Sequence, residues 1–262
     1  MGLQNRAPGV TEEAVEEPGF NGVRFTPEGA RSGVVILYFH GGALRMGSVK
    51  SWGPYMSRLA AITKTEVLGV EYALAPESPY PAAANEAKAA FDWLADQGLK
   101  VVLGGDSAGC NLAAGLALRV EPATDRLHVG TMLFSPWIDF TVKNASYSEC
   151  ADTDELFSRE AAEEAVGFYA PGLDAADPAI SPGLGSWDAQ PPVLVETSRD
   201  EVLRDDARAL AQSLLAAGVQ VWFREVPGQP HDWHINDPVV GATHDSLALA
   251  AAFIDSLHSE QE

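Results

Sequence analysis

The tightest constraint on this chain is the stretch Lys100 to Ala113, KVVLGGDSAGCNLA, where an apolar run meets glycines and a single serine before helix-forming residues begin. Val101, Val102 and Leu103 predict a buried strand, and the Leu/Ala-rich run from Asn111 to Arg119 predicts a helix. Joining the two in so few residues demands a sharp turn. The small residues of Gly105-Asp106-Ser107-Ala108-Gly109 let strand and helix approach closely and leave Ser107 at the tip. A bare G-x-S-x-G is a weak pattern, and the strand before it and helix after it are what give it meaning. In that setting the serine hydroxyl stands at the carboxyl edge of a sheet, beside the first N–H groups of a helix.

The rest of the chain alternates in the same way. Val34 to Phe39, apolar at every position, reads as a strand covered on both faces, and Val67 to Tyr72, Leu127 to Phe134, Pro192 to Thr197 and Val219 to Val226 read as further strands. Helices are predicted over Trp52 to Thr63, Ala83 to Gln97, Glu201 to Ala217 and Ala242 to Leu257. Such alternation implies an α/β fold with a mostly parallel central sheet flanked by helices. Residues 23–140 and 178–262 carry this core. Residues 1–22, acidic and dotted with Gly and Pro, predict an extended arm, with Val23 to Thr26 as an edge strand. Residues 141–177 break the rhythm with acidic loops and one helical stretch, Ser158 to Tyr169, so they predict a small helical cap over the catalytic edge.

Composition narrows the function classes. Of 262 residues, 37 are acidic and 17 basic, for a net charge of −20 that repels nucleic acid and anionic membrane surfaces. No apolar run is long enough to span a bilayer, and the first twenty residues carry no signal-like apolar core, so a cytoplasmic location is expected. Cys110 and Cys150 have no disulfide or metal spacing and read as free thiols. Neither zinc spacing nor a phosphate-binding glycine loop is present, so no metal and no cofactor are expected.

In a parallel sheet the carboxyl ends of the strands gather on one edge. After the strand ending near Thr197 comes Asp200, and after the one ending near Val226 comes His231, which puts the order Ser107, Asp200, His231 along the chain. This is the order of the α/β-hydrolase arrangement. Ser107 needs a base to take its proton, which His231 would supply, with Asp200 orienting the imidazole. Gly41 and Gly42, following a buried strand, and Ala108 are the backbone donors predicted for an oxyanion. Glu201, Asp205 and Asp206 are assigned to the first turns of the next helix, where acids suit the dipole.

The segments His40-Gly41-Gly42, Tyr72 to Ala83, Gly105 to Gly109, Arg199 to Asp206 and Pro230 to Trp233 together resemble the hormone-sensitive lipase family of α/β-hydrolases, in its bacterial esterase branch. The resemblance runs from about Val34 to Leu257. It implies an α/β-hydrolase fold with a helical cap and a carboxylesterase acting on small-molecule, short-chain acyl esters through an acyl-enzyme. Family membership also carries the expectation of a homodimer. Ala43 stands where the family has a third glycine, Ala73 where it has arginine, and the N-terminal cap segment is shortened. Alternatives on the same fold are a ligand-binding member resembling the gibberellin receptors and an amidase or arylformamidase-like hydrolase. Retention of Ser107, Asp200 and His231 argues against a pure binder.

Overall fold

A computed structural model describes residues 5–120, 126–236 and 241–259, the side chains of 258 and 259 excepted. Its core is an eight-stranded sheet in the order β1-β2-β4-β3-β5-β6-β7-β8. The strands are β1 (Val10–Glu17), β2 (Phe20–Pro27), β3 (Val34–Phe39), β4 (Glu66–Val70), β5 (Lys100–Asp106), β6 (His128–Phe134), β7 (Val193–Ser198) and β8 (Val221–Val226). From β4 across to β8 every pairing is parallel, whereas β1 pairs with β2 and β2 with β4 antiparallel.

All six residues of β3 are buried, as its unbroken apolar run requires. Alternation along the strand sends Val34, Ile36 and Tyr38 to one face and Val35, Leu37 and Phe39 to the other. The first face packs against α1 (Val49–Thr63) and α7 (Gly241–Ser259) through Met56, Leu59, Phe253 and Ile254. The second packs against α2 (Ala82–Asp96), α3 (Gly109–Arg119) and α6 (Arg204–Ala216) through Phe91, Leu112, Leu210 and Leu214. Each such buried Leu or Phe contributes about 1.5–3 kcal/mol.

The arm predicted over residues 1–22 is different in the structure, although its first four residues lie outside the described ones. Val10–Glu17 is a full strand, closed onto β2 in a hairpin whose register runs from Val10 opposite Pro27 to Glu17 opposite Phe20. Only Val15 of β1 is buried, so its acids face water. Charge on an edge strand blocks pairing with other chains, and it also hides the strand from a search for apolar alternation.

Between β6 and β7 the chain forms α4 (Ser146–Glu149) and α5 (Arg159–Tyr169). Ser158 caps α5, its hydroxyl accepting from Ala161 N–H at 3.2 Å. This insertion is docked at both ends. The Arg45 guanidinium pairs with Glu164 at 2.6 Å and lies 4.4 Å from the Phe168 ring, while Tyr80 N–H donates to Tyr169 O at 2.7 Å. At the entrance, Asp206 accepts from Ile138 N–H, Asp139 N–H and Asn144 Nδ2. Burial pushes the Asp206 carboxyl up to about 7 against those donors. Among the described residues no helix is long and apolar enough to cross a membrane.

Candidate active site

The turn after β5 is built as its residues require. Ser107 has φ 49°, a left-handed conformation that costs a non-glycine residue about 1–3 kcal/mol and is held by its neighbours. Its N–H donates to Phe134 O at 2.9 Å, and its carbonyl accepts from Cys110 and Trp137 N–H, both at 3.1 Å. The flanking glycines are sterically obligatory: a Cβ on Gly109 would meet Phe39 O at 2.0 Å, and one on Gly105 would meet Gly109 at 2.6 Å. α3 starts directly behind the serine, with Ala108 at its N-terminal boundary.

His231 Nε2 lies 2.9 Å from Ser107 Oγ. The partner on the other ring nitrogen is a different residue from the one predicted. His231 Nδ1 lies 2.7 Å from Glu201 Oε2, and Asp200 does not face the ring. Instead the Asp200 carboxylate accepts from Gly228 N–H at 2.5 Å and its N–H donates to Ser198 Oγ at 3.0 Å, which ties together the loops after β7 and β8. α6 begins only at Arg204, so Glu201 lies in the turn before it and turns inward, fully buried. Its second oxygen, Oε1, accepts from Ser198 N–H at 2.7 Å and Thr197 Oγ1 at 2.5 Å. The neighbouring acid replaces Asp200 because the turn after Ser198 points successive side chains in opposite directions.

The predicted oxyanion donors also divide. Asp106, fully buried one residue before Ser107, accepts from Tyr38 Oη at 2.9 Å and from Trp52 Nε1 and Gly41 N–H at 3.0 Å. The Gly41 N–H is thus taken by Asp106, and a Cβ there would meet the same carboxylate at 2.4 Å. Gly42, with φ 114°, and Ala108 remain. Ala43, standing where the resembling family has glycine, adopts φ 56°, so the chain keeps the left-handed turn without the glycine. Burial raises Asp106 to about 6, opposed by its three donors.

His40 is stacked on Tyr72 at 4.4 Å and lies 5.1 Å from the Trp52 ring, with Nδ1 2.7 Å from Gly41 O. Burial lowers it to about 4, so it is a neutral structural imidazole. His128 bonds Thr131 at 2.9 Å, away from the serine. The inserted segment reaches the site through Phe157, whose ring stacks on His231 at 5.8 Å. Asp154 of the same segment accepts from Leu156, Phe157 and Val202 N–H, joining the insertion to the residue after Glu201. Burial works against a charged His231, but Asp232, Glu201 and Asp154 around it push it up to about 10. Among the described residues no group of His, Cys, Asp and Glu could hold a metal ion.

Residues 36–235 match the family described as the alpha/beta hydrolase fold. The chain belongs to the alpha/beta hydrolase family. Within it, the chain is 35% identical over 233 residues to an acetyl-hydrolase of Streptomyces hygroscopicus, covering 88% of this chain and 78% of that one. It is 32% identical over 227 residues to an esterase of Acinetobacter venetianus, covering 85% and 75%. A solved alpha/beta hydrolase described as an esterase from the bacterial hormone-sensitive lipase family superposes with TM-score 0.93 at 30% identity, covering 98% of this chain and 87% of that one. The chain is a member of this hormone-sensitive lipase branch.

Glu201, Asp106 and Asp154 are the site residues that sequence reasoning did not reach. The adjacency of two acids after a strand was the one available signal for Glu201.

Proposed function

We propose that the protein hydrolyses short-chain acyl esters through an acyl-enzyme on Ser107. It is an ester hydrolase of the alpha/beta hydrolase family. The observation that carries the mechanistic reading is the unbroken chain from Glu201 through His231 to Ser107, at 2.7 and 2.9 Å. Glu201 accepts a hydrogen bond from Nδ1–H, which keeps that proton on Nδ1 and leaves the Nε2 lone pair facing the serine hydroxyl. His231 takes the Ser107 proton as Oγ attacks the ester carbonyl, then returns it to the leaving alkoxide. Water repeats the sequence on the acyl-enzyme and releases the acid. We assign the tetrahedral oxyanion to Ala108 and Gly42 N–H, each such donor lowering the barrier by about 3 kcal/mol.

Small acyl groups are favoured by the aromatic side chains around the nucleophile. Trp137, whose backbone N–H donates to Ser107 O, packs its ring 4.3 Å from Phe140 and 5.2 Å from Phe157, the ring stacked on His231. The relative named acetyl-hydrolase points the same way. The test is hydrolysis of p-nitrophenyl esters from acetate to palmitate by wild type and Ser107→Ala. Serine-dependent turnover falling from acetate to longer chains supports the reading. Turnover that survives loss of the hydroxyl, or peaks at long chains, refutes it.

A further inference from the structure

A second carboxylate stands at the reacting nitrogen. Asp232 Oδ2 lies 3.3 Å from His231 Nε2, the same atom that faces Ser107 Oγ at 2.9 Å. Nothing in the triad explains it. The backbone of Asp232 is left-handed, φ 56° and ψ 31°, a conformation that brings the side chain back over the preceding ring and that only Asp, Asn and Gly adopt readily. Its N–H donates to Ser135 Oγ at 3.4 Å, and its carbonyl accepts from Ile235 N–H at 3.2 Å.

The two carboxylates on this imidazole differ in their support. Glu201 bonds two further donors through its second oxygen. Asp232 Oδ1 is buried without a hydrogen-bond partner. A mostly buried carboxylate with one bare oxygen depends on the ion beside it for compensation, so the charge of Asp232 follows that of the imidazole.

We propose that Asp232 is a second carboxylate partner of His231, sharing at Nε2 the proton that the imidazole takes from Ser107 and thereby setting the pH above which the nucleophile is active. The inference rests on the reading of Ser107 and His231 as nucleophile and base. While Asp232 and Nε2 share a proton, Ser107 has no base, whether that proton sits on nitrogen or on oxygen. Once the pair has lost it, the empty Nε2 accepts from Ser107. In the tetrahedral intermediate the new Nε2–H faces Asp232 until it passes to the leaving oxygen. The other titratable groups acting on His231 are Glu201, Asp154, Asp106 and His234. Asp232 alone among them lies beside Nε2.

The test uses Asp232→Asn, which keeps the left-handed backbone and the side-chain shape, with Asp232→Gly as a second variant suited to the same φ. For each, kcat/KM for p-nitrophenyl acetate is measured across pH, and the His231 ring is titrated by NMR. Both variants are expected to move the acid limb and the NMR midpoint down by about 1–3 pH units. The plateau kcat should fall about tenfold as the imidazolium loses a partner. Folded variants whose limb and midpoint coincide with wild type overturn the proposal, even if kcat falls, because a packing role lowers the rate without moving the limb. Should wild type hydrolyse no ester, the functional reading fails, while the NMR midpoint still decides what Asp232 does to His231.

Discussion

Replacing Glu201 with Gln should disable the site for a reason that can be worked from its hydrogen bonds. Oε1 of Glu201 accepts from two donors, Ser198 N–H and Thr197 Oγ1. The amide oxygen of the Gln therefore stays at that position, and the NH2 group is forced to face His231 Nδ1. Two donors cannot meet there. The imidazole must present its Nδ1 lone pair, which places its proton on Nε2, against Ser107 Oγ, and removes the base from the nucleophile. A wrong-tautomer substitution of this kind lowers kcat by about 10⁴, or about 5 kcal/mol of barrier. The control is Asp200→Asn, which loses one acceptor for Gly228 N–H on a loop and should retain kcat to within about threefold, as for a modest loss of about 0.5 kcal/mol. The assay is kcat for p-nitrophenyl acetate at a pH on the wild-type plateau, with thermal melts to verify that both variants are folded. Equal losses in the two variants, or full activity in Glu201→Gln, would refute the assignment.

Two further outcomes follow from the packing. Gly109→Ala should abolish stable folding or cost more than about 4 kcal/mol, since the added Cβ would lie 2.0 Å from Phe39 O and 2.6 Å from His40 O, both of them backbone; an unchanged melting temperature would contradict the close approach of α3 to β3. Asp206→Asn tests the buried anchor of the inserted segment. The folded carboxyl, at about 7, lies above its unfolded value of about 3.9, so the proton-linked stability is full below about pH 4 and is lost as pH rises through about 7. The variant loses bonding at every pH but carries no such slope, so the melting-temperature gap from wild type should narrow between about pH 4 and about pH 7. A gap that widens over this range would refute the assigned direction.

Much of this architecture is legible in local sequence because it rests on local physics. The apolar run of β3 could be satisfied only by a strand covered on both faces. Leu203, Ala207, Leu210 and Leu214 mark the buried side of α6 and of the turn before it, and Ser158 marks the start of α5. β1 escaped because Val15 alone is buried and the acids Glu12, Glu13 and Glu16 stand exposed around it, a pattern without apolar alternation. Asp106 looked like a spacer in the elbow, since the partners that give it meaning, Tyr38, Gly41 and Trp52, come from other elements.

By itself the sequence determined where Ser107 and His231 stand, because a strand, a sharp turn and a helix within a few residues leave Ser107 one place to stand, and the order of the chain brings His231 to the same edge. Tertiary structure decided between Asp200 and Glu201. The two acids are adjacent, both follow β7, and either has the chemistry; what separates them is the direction each side chain takes from the turn after Ser198. Local bonds to Thr197 and Ser198 shape that turn, and contacts from the loop after β8, the insertion and the His231 loop, all distant in sequence, hold each acid in its place.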